Sequence, residues 1–241
     1  MPRGKADGQR AYVLHTRPYR ETSLLVEVFS RDYGRVALLA RGARRPRSAL
    51  RGLLMGFQPL ELSWSGKGEV LNLIKAEWQG GQPLLMGLPL FCGYYLNELL
   101  LRLLPREDPH PFLFERYAQI LLHLGQSPRH QVAEADLRCF ERALLGDLGY
   151  GLRLDRDWQG AAIDPGAAYR YEMERGPVGL EAGEAGGWII SGQTLLDMAR
   201  DDYSRPVSRS EAKQLMRRLL ASYLDGVELE SRKLFKEFQE L

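Results

Sequence analysis

Cysteine and histidine are scarce in this chain, with 2 and 4 copies in 241 residues. Cys92 and Cys139 lie far apart, and none of His15, His110, His123 and His130 has a second histidine or cysteine three or four residues away. A structural metal site is therefore not expected. Two cysteines, with no secretory leader or stop-transfer segment, suit a reduced cytoplasmic compartment. Long apolar runs are missing as well. The longest, residues 90–104, is interrupted by Asn97, Glu98 and Arg102, so it reads as a buried helix and not a membrane span. No Walker loop, dinucleotide fingerprint or nucleophile elbow occurs, and Gly66-Lys67-Gly68 is only a turn. Carboxylates are plentiful but show no pairing, so the chain is not expected to be an enzyme. A Mg²⁺-dependent nuclease is the hydrolytic alternative, and incubating labelled DNA with metal tests it.

What is present is an uneven charge. The net charge is only +2, yet residues 1–75 hold 14 Lys and Arg against 6 Asp and Glu, and the remainder holds 19 against 25. A hydrophobic fraction of 44% is enough for a folded core. Residues 9–15, 23–29, 35–40, 57–64 and 70–77 read as short strands; in the second, Leu24, Val26 and Val28 alternate with Glu27. Gly34 supplies a hairpin turn, and Pro59 suits a strand edge or bulge. Five short strands are too few for a sandwich, so a closed five-stranded OB-fold barrel is expected over residues 1–80. The period then becomes helical over residues 90–104, 112–124 and 133–148, with Ser127-Pro128 dividing the last two. A Gly-rich insert, residues 152–187, contains a strand-like stretch at 169–173. Helices return at 194–200, after Ser208, where Ser208 and Glu211 have capping-box spacing, and at 231–238. The fold class expected is α+β: a basic barrel followed by a mostly helical domain over residues 81–241, with a small irregular β insert.

Residues 41–51 hold Arg41, Arg44, Arg45, Arg47 and Arg51 and no acid. Guanidinium groups present planar forks of donors to phosphate oxygens and stack on bases. Arg35 shares a strand face with Arg41, and Arg17 and Arg20 add charge from the first connection. Tyr12, Tyr19, Phe29 and Tyr33 are interleaved with them. A basic run is ordinarily a solvated loop, and most barrel aromatics fill the core. As a group, however, uncompensated like charges point to an anionic partner, and a polynucleotide backbone fits them.

Arg17-Pro18-Tyr19-Arg20-Glu21-Thr22-Ser23, Gly34-Arg35-Val36 and Arg41-Gly42-Ala43-Arg44 resemble the N-terminal domain of the RecO family of bacterial recombination mediators. The likeness continues through Tyr95-Leu96-Asn97-Glu98-Leu99-Leu100 and Phe140-Glu141-Arg142-Ala143-Leu144-Leu145-Gly146. Leu148-Gly149-Tyr150-Gly151, Tyr169-Arg170-Tyr171 and Ser231-Arg232-Lys233-Leu234-Phe235 complete it. The resemblance implies an N-terminal OB-fold, binding of single- and double-stranded DNA, and annealing of complementary strands. It also implies action with RecR to help RecA replace single-strand-binding protein in gap repair and RecF-pathway recombination, in the cytoplasm at the nucleoid. Some members carry four zinc-binding cysteines in the insert; residues 152–187 have no cysteine or histidine, so no zinc or other cofactor is expected here.

The resemblance also implies contact with the acidic, hydrophobic C-terminal tail of single-strand-binding protein, which calls for an apolar pocket beside a cation. Arg138 and Arg142, four apart on the third helix, border Leu137, Phe140 and Leu144, and Arg138 is the foremost candidate. The competing expectation is that Arg142 pairs with Glu141 or Glu134 and that the apolar residues are core. An OB-fold RNA-binding protein, or an adaptor without annealing activity, remains the alternative, since phosphate contacts do not separate DNA from RNA.

Overall fold

The computed structural model describes residues 4–126, 130–180 and 187–239. The chain forms two compact units, Met1–Pro128 with Leu229–Leu241, and Arg129–Glu228. The expected break at Ser127-Pro128 and residues 181–186 of the insert lie outside the described residues.

In the first unit, β1 (Lys5–Tyr19), β2 (Ser23–Ser30), β3 (Gly34–Ala40), β4 (Pro59–Ser65) and β5 (Val70–Trp78) close a barrel in the order β1-β2-β3-β5-β4. The α+β expectation and its N-terminal five-stranded barrel are met. All pairings are antiparallel except β3 with β5. β1 is twice as long as the sequence suggested because its two barrel neighbours are displaced along it and overlap only at Ala11 and Tyr12. Its first half meets β4 and its second half meets β2, with register shifts between Ala6 and Gln9 and between Val13 and His15. Pro59 opens β4, where its missing N–H costs no ladder bond. Val13, Val26, Val28, Val36, Leu38, Leu60, Leu62 and Trp64 fill the interior. Gly34 has φ +66°, and a Cβ there would stand 1.9 Å from the Asp108 carbonyl oxygen, so the β2–β3 turn admits no side chain.

The barrel's outer wall is also covered. Tyr12 and Phe29, opposite each other in register, pack on Phe114 and Tyr117 of α3 (Pro111–Gln126) with ring centroids 5.2 to 6.1 Å apart. At the second bulge of β1, the Leu14 carbonyl accepts a 2.9 Å hydrogen bond from Asn97 Nδ2 on α2 (Leu88–Leu103). The Tyr117 hydroxyl donates to Asn97 Oδ1. Burial and the neighbouring Tyr12 push the Tyr117 phenol well above its usual range, which keeps it a donor. On the same helix, Glu98 accepts from the backbone N–H of Glu230 and from the N–H and hydroxyl of Ser231, at the start of α7 (Glu230–Gln239). Arg232 lies 5.4 Å over the Tyr95 ring. The carboxylate satisfies open N–H groups of the α7 N-terminus and sits where the helix dipole favours negative charge.

The second unit contains α4 (His130–Asp147), a three-stranded sheet in the order β7-β6-β8, α5 (Gly192–Ala199) and α6 (Pro206–Tyr223). The strands are β6 (Ala168–Glu172), β7 (Gly176–Gly179) and β8 (Ile189–Ser191). Phe140, Leu144, Ile190, Leu195, Met198, Met216 and Leu220 are fully buried. The capping box read from Ser208 and Glu211 does not form. α6 begins at Pro206, which tolerates the first helical turn because its absent N–H has no intrahelical partner. Ser208 instead donates to Asp197, and Glu211 accepts from the N–H and hydroxyl of Ser191. Among the described residues, no helix is long and apolar enough to cross a membrane.

Candidate nucleic-acid interface

Two basic stretches of the sequence meet at one end of the barrel. Residues 20–22 turn β1 into β2, and the register that sets Pro18 opposite Leu24 and Leu24 opposite Ala40 brings Arg41 beside that turn. The loop after β3 is then strapped to it. The Arg44 N–H donates to the Thr22 carbonyl at 2.8 Å, and Arg44 Nη1 donates to the carbonyls of Arg20 and Glu21 at 3.2 Å. Ala43 is fully buried and holds the loop against the barrel. Successive turns, Arg45 N–H to Gly42 and Ser48 N–H to Arg45, lead into the single-turn α1 (Leu50–Leu53). Anchored backbone leaves the long side chains outward. Arg17, Arg20, Arg41, Arg44, Arg45, Arg47 and Arg51 are all exposed.

None of these seven arginines forms an ion pair among the described residues. Several cations elsewhere in the unit are paired: Arg10 and Arg31 share Glu115, Arg106 pairs with Glu27, and Arg102 with Glu98. Glu21, exposed in the β1–β2 turn, is the acid that this turn carries. The surface is thus strongly cationic and repels itself, so a polyanion that neutralises it gains counterion release as well as Coulomb attraction.

Arg35 does not join this surface. Residues 101–107 cover the outer face of β3 there; Arg35 Nη1 donates to the Leu101 carbonyl, and the Glu107 N–H bonds back to the Arg35 carbonyl. Burial lowers the Arg35 pKa, and Glu27 opposes the shift while Arg106 adds to it. Of the interleaved aromatics, Tyr12 and Phe29 are buried under α3, and Tyr33 packs edge-on against Trp64 at 5.3 Å. Tyr19, with Arg20 5.4 Å over its ring, is the one that reaches the arginines.

In the second unit the residues singled out on α4 are engaged within that unit. Phe140 is fully buried and Leu137 half-buried. Arg138 is buried and donates to Glu141. Arg142 bonds Asp201 and the Met198 carbonyl, neither of which sequence spacing reveals; Glu134 is taken by Lys213 at 2.7 Å. Burial, with Asp201 nearby, pushes the Cys139 thiol up to about 12, so it offers no thiolate nucleophile. No group of three His, Cys, Asp or Glu side chains that would hold a metal occurs among the described residues.

Comparison with known proteins agrees with this architecture. A family profile described as "Recombination protein O N terminal" matches residues 8–81, and one described as "Recombination protein O C terminal" matches residues 88–233. The chain is 63% identical over 239 residues to the DNA repair protein RecO of Dechloromonas aromatica, covering 99% of each chain. It is 56% identical over 238 residues to that of Aromatoleum aromaticum, covering 98% of each. Identity to that of Nitrosospira multiformis is 50% over 239 residues, again covering 98% of each.

Proposed function

Because the chain belongs to the RecO family of DNA repair proteins, we propose that it is a recombination mediator that binds single- and double-stranded DNA and anneals complementary strands. With RecR, it would help RecA replace single-strand-binding protein in gap repair and RecF-pathway recombination, working in the cytoplasm at the nucleoid. The observation that carries this reading is the cluster of seven exposed arginines, none in an ion pair among the described residues, at one end of a closed barrel.

Annealing requires no bond to be made or broken in either strand. Two strands repel through their phosphates; guanidinium groups lower that repulsion and leave the base edges free to pair. Contacts directed at the backbone carry no sequence information, so binding is sequence-independent. Contact with the acidic tail of single-strand-binding protein is assigned to the α4 face of Leu137, Arg138 and Arg142, which overlies the buried Phe140. There the tail's carboxylates would compete with Glu141 and Asp201 for the two guanidinium groups. Charge reversal of Arg138 with unchanged affinity for the tail peptide removes that assignment.

The test is strand annealing on DNA coated with single-strand-binding protein, comparing the wild type with Arg44, Arg45 and Arg47 replaced by alanine. Loss of annealing with an intact fold supports the reading, and full activity refutes it. Tighter binding to RNA than to DNA oligonucleotides in competition at fixed salt would favour the RNA-binding alternative.

A further inference from the structure

A groove of about 420 Å³ in the first unit is lined by residues next to, or a few positions along the chain from, two of these arginines. One wall includes Val13 to Thr16 of β1, immediately before Arg17; the other includes Leu54 and Met55, just after α1 with Arg51 in its last turn. Tyr94 of α2 lines the groove with one half of its surface exposed, and Phe57 holds its ring edge-on, at 5.2 Å and 74°. Leu84 and Met55 are 64% and 47% exposed there, large apolar side chains without cover.

The floor of this groove is built against local preference. Phe57 has φ +66°, a conformation that bulky residues rarely adopt, and it is nonetheless buried. Gly93 sits inside α2, where a Cβ would come within 2.8 Å of the Phe57 ring and 2.9 Å of Leu85 Cδ1. A glycine inside a helix and a strained aromatic both cost stability, and such costs concentrate at binding sites. The volume lies within the roughly 300–1,000 Å³ of small-molecule pockets. A slot of mixed polar and apolar lining with an exposed aromatic ring, its walls continuing along the chain into Arg17 and back to Arg51, suits a flat aromatic ligand that carries a phosphate.

We propose that this groove takes an unstacked nucleobase, stacked on Tyr94, from a single strand whose phosphates lie against Arg17 and Arg51. The proposal rests on the polynucleotide reading of the arginine surface and adds a means of telling single strands from duplex. A duplex keeps its bases stacked and engages the arginines alone; a single strand engages both features.

The experiment measures fluorescence anisotropy of the full chain, at one salt concentration, with three labelled ligands. These are an oligothymidylate of about 16 nucleotides, an abasic strand of the same length, and a duplex. The wild type is expected to bind oligothymidylate more tightly than the abasic strand. Tyr94→Ala is expected to lower oligothymidylate affinity about five- to hundredfold and to leave the other two ligands unaffected, whereas Tyr94→Phe retains wild-type affinity. Equal binding of base-bearing and abasic strands by the wild type overturns the proposal. So does an unchanged Tyr94→Ala, or one weakened equally for all three ligands. Tyr94→Ala losing an apolar peptide while keeping oligothymidylate would assign the groove to a protein partner instead. Arg45→Ala with Arg47→Ala separates the two levels. Weakening on all three ligands supports the phosphate surface whatever happens at Tyr94, and binding of none of them by the wild type defeats both readings.

Discussion

Replacing Asn97 with alanine probes the join between the barrel and its helices. Asn97 is 3% exposed, and its amide serves two partners, the Leu14 carbonyl at the β1 bulge and the Tyr117 hydroxyl on α3. Leu14 is the residue that the β1–β2 register skips, so its carbonyl depends on a side chain for a partner. Truncation leaves one acceptor and one donor buried without a bond, at about 1–3 kcal/mol each. The expected loss is therefore about 2–6 kcal/mol, a large part of a typical domain stability of about 5–15 kcal/mol. Asn97→Asp keeps the acceptor for Tyr117 but sets a carboxylate against the Leu14 carbonyl, so at neutral pH it is expected to cost at least as much. Tyr117→Phe removes one orphan in advance; the double variant should lose less than the sum of the singles, by about 1 kcal/mol. Urea denaturation followed by circular dichroism measures these differences. An Asn97→Ala protein within about 0.5 kcal/mol of wild type, the range of neutral surface changes, would refute the reasoning.

Three further outcomes follow from named contacts. Burial raises the Glu98 pKa, but the bonds from Ser231, Glu230 and Arg102 outweigh it and hold the carboxyl below 4.5. Its stabilisation is thus complete above the unfolded value and lost as pH falls through the lower folded one. The protection of α7 amides relative to their intrinsic exchange rates should fall in that acid range, and Glu98→Gln should show lower protection already at neutral pH; identical protection in both proteins would contradict the capping role. Gly34→Ala should cost at least about 2 kcal/mol, since left-handed backbone alone costs a side chain about 1–2 kcal/mol and the Asp108 carbonyl must also move. A thermal melt checks this, and an unchanged midpoint refutes it. Arg44→Ala should loosen residues 41–49 to proteolysis whereas Arg45→Ala should not, because among the described residues it is the Arg44 side chain that straps the loop to the β1–β2 turn.

The barrel was legible because alternation in residues 23–29 and 35–40 follows from one wet and one dry face. The length of β1 was not, since its ends carry polar residues on both faces and only the displacement of its two neighbours along it requires them. Arg35 shows the limit of strand parity. Parity sets it outside the barrel as expected, but residues about seventy positions later cover that outside. The same distance hid the partner of Arg142, which helical spacing placed among Glu134 and Glu141 and the fold placed at Asp201. Ser208 and Glu211 had the spacing of a cap, yet the nearer Pro206 starts the helix and frees both for long-range bonds. The run of arginines was plain in sequence; its junction with Arg17 and Arg20 needed the β2–β3 register.

The salt dependence of single-strand binding tests the central claim most directly. If roughly four arginines contact phosphates, log K should fall with log salt at a slope of about −3, and Arg45→Ala with Arg47→Ala should reduce it to about −1.5 with the fold intact. A wild-type slope near zero, or a double variant with the wild-type slope, would contradict a cationic surface acting on the polynucleotide backbone.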